Sequence, residues 1–150
     1  MNRLSQNELI GTVAFQSALE NSRDLRLSLA KVMLVLPLIF DKAVRSILKR
    51  KASVVLSSKD LLISNPNAFI TVRARYEDLT LTSLNTIVLA QELGMVALEN
   101  DFLVLKKQIF FQSNPDIGKI ASDILESGPK LGLILSETTL DLYQTFRIEL

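Results

Sequence analysis

The sequence predicts a single, mainly α-helical domain that carries one small β-hairpin. Apolar residues recur at helical spacing along most of the 150 residues. In "ELGMVALENDFLVLKK" two short apolar runs instead flank Asn100-Asp101, which is typical of a hairpin turn. The chain is 48% hydrophobic and long enough to bury one sizeable core, so we expect residues 1–150 to form one domain.

A first helix is predicted from residue 6 or 7 to Glu20. Ser5 is its expected N-cap, because Glu8 three residues later completes a capping box. The polar segment "NSRD" is expected to end this helix.

A second helix is predicted to begin near Leu25 and to continue through "LSLAKVMLVLPLIF". It is apolar almost all round, which is typical of a central core helix. Pro37 should kink or split it, since proline removes a backbone donor and clashes one turn back. Asp41 is then the expected N-cap of the continuation "DKAVRSILKRKA".

Three more helices are predicted between residues 57 and 93. Ser57 or Ser58 can cap a short one, and Asn65-Pro66 marks the turn that follows. The next helix lies in "NAFITVRARYEDL", with Phe69, Val72 and Tyr76 on one stripe. A short turn around Thr80 leads into "TLTSLNTIVLAQELG", in which Leu84, Ile87, Val88 and Gln91 lie at helical spacing on one stripe. As a recognition helix, its outer face would present Thr80, Thr82, Ser83, Asn85, Thr86, Gln91 and Glu92.

The hairpin and two C-terminal helices complete the prediction. Gly94 suits the left-handed C-cap before the strands "MVALEN" and "DFLVLKKQIFF". A helix should then begin near Ser113 or Asn114 and break at Gly128-Pro129, and Ser136 should cap the last helix. Helices followed by a hairpin are the element order of a winged helix, so we expect a winged-helix-type domain with additional N- and C-terminal helices.

Composition excludes several kinds of chemistry. The chain has no cysteine and no histidine, which removes structural zinc, thiol nucleophiles, disulfides and the Ser-His-Asp triad. Asp116 and Lys119 have no companion acidic motif for a metal-dependent nuclease, and the five glycines form no phosphate-binding loop. We therefore expect no enzyme activity, no catalytic or metal-ligating residues and no cofactor.

The sequence also predicts a soluble, cytoplasmic protein with no membrane partner. The start "MNRLSQNELIG" lacks the apolar core of a signal peptide. The longest apolar block runs from Val32 to Phe40, well short of the roughly 20 residues that a membrane-spanning helix needs.

Local clusters must carry any argument for DNA binding, because the net charge is only +1. The predicted recognition helix argues against it: residues 77–105 contain five acids and no lysine or arginine. The candidate nucleic-acid contacts are the basic cluster Lys42, Arg45, Lys49, Arg50 and Lys51, together with Lys106 and Lys107 at the end of the predicted wing. The alternative for the basic cluster is a solvated helix end, where cations complement the helix dipole.

Four aromatic residues near loops or chain ends are candidates for a partner interface: Phe110, Phe111, Tyr143 and Phe146. Large apolar side chains of this kind anchor protein–protein interfaces. In a monomer the same residues would be ordinary core or lid residues, and the sequence does not separate the two possibilities.

Three segments together resemble a known family: "VMLVLPLIFDKAVRSIL", "ELGMVALENDFLVLKK" and "GPKLGLILSETTLDLYQTFRIEL". They are similar to the middle component of bacterial ABC-three-component defence systems, a group that includes the small accessory subunit of Lamassu systems. The resemblance covers most of the chain and rests on apolar and turn residues. It includes a "LVLPLIF" helix with its proline and a "KLG" tail at residues 130–132.

The resemblance implies a non-enzymatic accessory subunit. Such proteins are encoded beside an SMC- or Rad50-like ABC ATPase and an effector, often a nuclease, and bridge the two. Double-stranded DNA would then be contacted through the assembled complex. The competing hypothesis is a winged-helix transcription regulator, which predicts a homodimer that binds a specific duplex by itself.

Overall fold

The computed structural model describes the backbone of residues 3–52 and 55–149, and the side chains of residues 7–52, 55–68 and 70–149. The predicted mainly α-helical class with a small β element is confirmed: the described chain is mainly helical and contains a small antiparallel sheet. The helices are α1 Arg3–Glu20, α2 Leu29–Ile39, α3 Lys42–Lys49, α4 Ser58–Ser64, α5 Ala68–Asp78, α6 Thr80–Glu92, α7 Lys119–Glu126, α8 Gly128–Leu135 and α9 Thr139–Thr145. The strands are β1 Arg26–Ser28, β2 Val96–Glu99 and β3 Phe102–Leu105.

The predicted hairpin is the β2–β3 pair. Asn100 and Asp101 have φ values of 50° and 67°, the left-handed conformation that a two-residue hairpin turn requires. Gly94 ends α6 with φ 72°, as predicted for a left-handed C-cap. Val96 of β2 lies opposite Leu105 of β3, which places both buried side chains on one face.

A third strand corrects the predicted start of the second helix. Residues 26–28 form β1, which pairs antiparallel with β3 and gives the order β1-β3-β2. Leu27 is buried opposite Leu103, and the Arg26 guanidinium lies 4.0 Å from the centre of the Phe102 ring. These contacts join residues far apart in sequence, so a local helical pattern could not reveal them. The helix begins at Leu29, with Ser28 as its N-cap.

The proline-containing helix behaves as predicted. Seven of the eleven residues of α2 are buried, which makes it a core helix. Pro37 lies in its last turn, α2 ends at Ile39, and α3 begins at Lys42. Asp41 caps α3, because its Oδ1 accepts hydrogen bonds from the backbone N–H groups of Ala43 and Val44 at 3.0 and 3.2 Å. Both predicted effects, the break near Pro37 and the Asp41 cap, are thus observed.

Three other predicted helix starts are wrong. Helix α1 already begins at Arg3, so Ser5 lies inside it rather than at its N-cap. Helix α7 begins at Lys119 rather than near residue 113, because Gly118 adopts a φ of 92° that a helix does not tolerate. Thr138 rather than Ser136 caps α9, and its hydroxyl accepts from the Asp141 N–H at 3.1 Å.

Helix α1 runs through the centre of the molecule and packs against α2, α6, α7 and α8. Every residue from 11 to 19 is buried, including the polar Thr12, Gln16 and Ser17. Ser17 donates to the Ile124 carbonyl at 3.0 Å, so its hydroxyl is satisfied against α7. The other elements pack on this helix or on its neighbours, and their outer faces supply the surfaces described below.

Candidate interaction surfaces

Five predicted DNA-contact residues lie on α3 or directly after it. We call them the basic α3 surface, and they are Lys42, Arg45, Lys49, Arg50 and Lys51. Helix α3 buries Val44, Ile47 and Leu48 and turns its remaining residues outward. The apolar spacing of the helix therefore keeps the five cations at or near the surface.

Both arginines of this surface donate hydrogen bonds to backbone carbonyl groups. The Arg45 guanidinium donates to the carbonyl of Ile39 at the end of α2, at 2.8 Å. The Arg50 Nε donates to the carbonyl of Ser46 in its own helix at 3.3 Å. Both contacts satisfy carbonyl groups near helix ends, which is a structural role for these cations.

A carboxylate neutralises part of the same surface. Asp123 of α7 forms salt bridges with Lys49 at 3.2 Å and with Lys119 at 3.1 Å. Partial burial by itself raises the pKa of the Asp123 carboxyl, but the two lysine hydrogen bonds outweigh it and lower that pKa overall. The hydrogen bond to Asp123 likewise raises the pKa of Lys119. Lys119 thus joins the surface in space, although the sequence places it about 70 residues away.

Lys130 of α8 also reaches this surface, where its ammonium group donates to the Arg50 carbonyl. Sequence reasoning missed Lys119 and Lys130, because only the packing of α7 and α8 on α3 brings them there. Among the residues that the structure describes, Lys42 and Lys51 are exposed and form no hydrogen bond or salt bridge through their side chains. These two lysines are the cations of the surface with the greatest freedom to bind an outside group.

The two lysines predicted at the wing lie just after β3. Lys106 forms a 2.6 Å salt bridge with Glu99 across the hairpin, so its charge is balanced locally. Lys107 is exposed, and its backbone N–H donates to the Met95 carbonyl at 3.2 Å. Within the described chain, the end of the hairpin therefore offers one cation without a salt bridge, which is a weak basis for phosphate binding.

Helix α6 packs against the core through small and mostly polar residues. The buried residues of α6 are Thr82, Ser83, Thr86, Ile87 and Ala90. Thr86 lies against Gly11 of α1, where an added methyl group would approach its hydroxyl to 2.8 Å. The absence of a side chain at Gly11 thus allows α1 and α6 to pack closely.

The outward face of α6 is apolar, which corrects the predicted orientation of this helix. Thr82, Ser83 and Thr86, which are predicted on the outer face, are buried. Of the four residues on the predicted stripe, only Ile87 is buried. Leu81, Leu84 and Val88 are 65%, 49% and 53% exposed, and their i, i+3, i+7 spacing aligns them along one side. We call these three residues the α6 ridge. The predicted stripe failed because close packing against Gly11 favours the small face rather than the bulky one.

Exposed acids lie at both ends of the α6 ridge. Glu77 and Asp78 end α5 just before the ridge, and Glu92 ends α6. None of the three forms a salt bridge within the described part of the chain. Arg73, one turn before Glu77, forms no salt bridge with it either. This part of the surface is therefore apolar at its centre and negative at its ends.

The predicted interface residues Phe110 and Phe111 lie on an irregular segment between β3 and α7. Phe110 is half-buried and Phe111 is 52% exposed. Phe110 lines a cavity of about 270 Å³ together with Leu9, Ile10, Val13, Ile109, Asn114, Asp116, Ile117 and Ala121. Most of that lining is apolar, so Phe110 remains a candidate for a partner contact. Phe111 remains a candidate because it is exposed.

The other two predicted interface residues belong to the core. Phe146 is fully buried, and Tyr143 is 2% exposed. The Tyr143 hydroxyl donates to the Ala30 carbonyl at 2.6 Å, and its ring meets that of Tyr76 edge to face at 5.8 Å. Burial, followed by the Tyr76 hydroxyl, raises the pKa of Tyr143. Neither side chain is accessible to a partner protein, and both stabilise the packing of α9 and of the residue that follows it.

No cluster of three or more potential metal-ligating side chains is present in residues 7–52, 55–68 and 70–149. Asp116 and Lys119 do not pair, since Lys119 contacts Asp123 instead. Within the same part of the chain, the helices are too short or too polar to cross a lipid bilayer.

The fold and its surfaces define a small, mainly helical protein with two candidate contact faces, one basic and one apolar with acidic ends. A family model places it more specifically: residues 8–150 match the ABC-three component (ABC-3C) system Middle Component 3. The match spans nearly the whole chain, so the protein belongs to this family and is a middle component of such a system. It thereby confirms the predicted family, although middle component 3 does not in itself designate the Lamassu group. No curated protein and no solved structure matches the chain.

Proposed function

We propose that this chain is a non-catalytic adaptor in an antiviral or anti-plasmid ABC-three-component complex. It docks on an SMC- or Rad50-like ABC ATPase and bridges that ATPase to an effector subunit such as a nuclease. It holds the effector inactive in the cytoplasm until the complex engages foreign DNA. Membership of the middle-component family is the observation that carries this proposal.

The outward face of α6 supports protein contact over DNA reading. If α3 and α4 are treated as an insertion between α2 and α5, the remaining order α1, β1, α2, α5, α6, β2, β3 supports a winged-helix-type core. The sheet order β1-β3-β2 supports the same core, in which α6 takes the recognition position. A helix that reads bases presents arginine, lysine, asparagine or glutamine to the groove. Here that face presents Leu81, Leu84 and Val88, which favours the adaptor over a transcription regulator.

The basic α3 surface supports a second part of the proposal, a role in DNA retention by the assembled complex. Lys42 and Lys51 are exposed and form no salt bridge within the described chain, so they can contact phosphates without distorting the fold. Reversing Arg45 or Lys49 would instead remove contacts to Ile39 and Asp123. Lys42→Glu with Lys51→Glu therefore tests DNA retention more cleanly than reversal of the whole surface.

In the assembled complex, this double variant should weaken DNA retention and lower the slope of log affinity against log salt concentration by about 2. Arg23→Glu with Arg73→Glu makes the same charge change at exposed residues elsewhere and serves as the control. Retention that survives unchanged at moderate salt in the first variant would remove the basic α3 surface from the proposal.

The adaptor role itself is tested by affinity purification from the native host. The tagged chain is recovered at moderate salt, and the co-purifying proteins are identified by mass spectrometry. We expect a large coiled-coil ATPase in the eluate, together with the effector. Recovery of the chain alone, combined with shift of a specific duplex by a homodimer, would establish the transcription-regulator alternative instead.

A further inference from the structure

Helix α6 has its bulky and its small residues in the reverse of the usual arrangement. A helix on the surface of a soluble domain normally buries its large apolar side chains and exposes polar ones. Helix α6 buries Thr82, Ser83 and Thr86 and exposes the α6 ridge of Leu81, Leu84 and Val88. The ridge therefore adds little to the core, so packing of the fold does not explain why these positions are apolar.

The buried side of α6 shows that this orientation is built into the packing. Thr86 lies against Gly11, and its hydroxyl donates to the Thr82 carbonyl at 2.6 Å within the helix. Rotating the helix to bury the ridge would force leucine side chains into the space at Gly11, where even one methyl group is crowded. The ridge is thus held outward by the close contact between α1 and α6.

Charge around the ridge indicates what kind of surface can cover it. Glu77 and Asp78 lie at its N-terminal end and Glu92 at its C-terminal end, and all three are exposed. In the described chain they have no salt-bridge partner, so their charges are available to cations of another molecule. An apolar centre between acidic ends complements a surface that is apolar in the middle and carries lysine or arginine at its edges.

The same charges argue against two other occupants. DNA would bring phosphates against Glu77, Asp78 and Glu92, and no lysine or arginine lies between residues 77 and 105 to offset the repulsion. A symmetric dimer through this face would set the acids of one copy beside those of the other, because a two-fold interface places the same patch on both sides. Both arrangements juxtapose like charges, which is costly.

We propose that the α6 ridge docks into an apolar, basic-edged groove or helix face on another protein of the same complex. This inference rests on the proposed function, since it supplies the surface by which the adaptor binds a second component. Leu81, Leu84 and Val88 insert as i, i+3, i+7 anchors, in the manner of a helix bound in a groove. Glu77, Asp78 and Glu92 pair with the cations at the edges of that groove.

The experiment co-expresses the tagged chain with the other two components of its system and measures how much of each is retained at several salt concentrations. The ridge variant carries Leu81→Gln, Leu84→Gln and Val88→Gln. The matched control replaces three exposed apolar residues on other helices, Ile63→Gln, Leu133→Gln and Leu140→Gln. A charge variant carries Glu77→Lys, Asp78→Lys and Glu92→Lys.

We expect the ridge variant to bind one component at least about 30-fold more weakly, the effect of losing a single interface hot spot of about 2 kcal/mol. The control should bind like the wild type. The charge variant should bind more weakly and lose the salt dependence that the wild type shows, because it removes the attraction to the basic edges. Since all the substituted side chains are exposed, thermal unfolding should show that each variant remains folded.

Each contrary result has a distinct meaning. Retention by the ridge variant equal to that of the wild type would overturn the docking surface and leave the adaptor function intact. A wild-type chain that retains neither component would overturn both. Light scattering of the chain alone that shows a larger assembly, lost in the ridge variant, would assign the ridge to contact between copies. A duplex bound by the wild type and released by the ridge variant would assign it to DNA.

Discussion

Gln16 is expected to fix the position of the aromatic segment after β3, and Gln16→Met tests this. Gln16 lies in the fully buried part of α1. Its amide oxygen accepts from the N–H groups of Ile109 and Phe110 at 2.7 and 2.9 Å, and its amide nitrogen donates to the Phe110 carbonyl at 2.8 Å. The same amide nitrogen also donates to the Glu20 carboxylate at 3.1 Å. Methionine keeps the length of the side chain and removes all four bonds.

The expected loss follows from the three bonds to backbone groups of Ile109 and Phe110. An unpaired backbone group that is fully buried costs about 1–3 kcal/mol. Ile109 and Phe110 are only half-buried, so water can reach part of the freed backbone, and the total should fall to about 2–4 kcal/mol. For a domain of this size, each kcal/mol lowers the Tm by about 2–4 °C, which predicts a decrease of roughly 5–15 °C.

Two measurements check this prediction. Thermal unfolding should show the decrease in Tm. Hydrogen exchange at the amides of residues 109 and 110 should be faster in the variant than in the wild type, and this increase should be larger than any increase in α2. Gln144→Met on the exposed face of α9 is the control and should leave both quantities unchanged. A Gln16→Met protein with wild-type Tm and wild-type exchange at these amides would refute the assigned role of Gln16.

Three further predictions follow from single contacts. Tyr143→Phe should lower the free energy of unfolding by about 1 kcal/mol in urea titration, because it removes the hydrogen bond to Ala30. The lowered pKa of Asp123 means that its ionised form contributes stability above about pH 4, and that this contribution disappears as the pH falls through the folded-state pKa. Asp123→Asn should therefore be less stable than wild type at neutral pH, and urea titrations should show the difference narrowing in acid. Gly132→Ala should lower the Tm by a few degrees in thermal unfolding, since the new methyl group would overlap the Asn21 carbonyl and overpacking costs about 1–3 kcal/mol.

Local signals in the sequence predicted much of the fold. The Asn100-Asp101 turn, the Gly94 C-cap and the Asp41 N-cap are each set by one or two residues and their immediate neighbours. The apolar run around Pro37 likewise predicted a buried helix that ends soon after the proline. In such features the residues that determine the structure are adjacent in the chain, so inspection of the sequence suffices.

Features that depend on distant residues were missed. Strand β1 exists because residues 26–28 pair with β3, more than 70 residues later. The outward face of α6 depends on Gly11 of α1, and the stripe predicted from Leu84 and Val88 was on the wrong side. The stripe of α5 holds for Val72 and Tyr76, whereas the side chain of Phe69 lies outside the described residues.

The candidate surfaces show the same division. The sequence located the cations of the basic α3 surface, but Lys119 and Lys130 reach it only through the packing of α7 and α8. It also grouped four aromatic residues as interface candidates, and folding separates them. Phe111 is exposed, whereas Tyr143 and Phe146 are in the core. Burial is a property of the whole packed structure, so aromatic character alone did not distinguish the two pairs.

The measurement that tests the central claim most directly is the mass of the complex formed by the ATPase and the effector with and without this chain. Purified components are mixed and analysed by size-exclusion chromatography with light scattering. If the chain is an adaptor, a complex of all three should form, and the ATPase and effector should elute separately when the chain is left out. Equal association of the ATPase and the effector in its absence would contradict the bridging role.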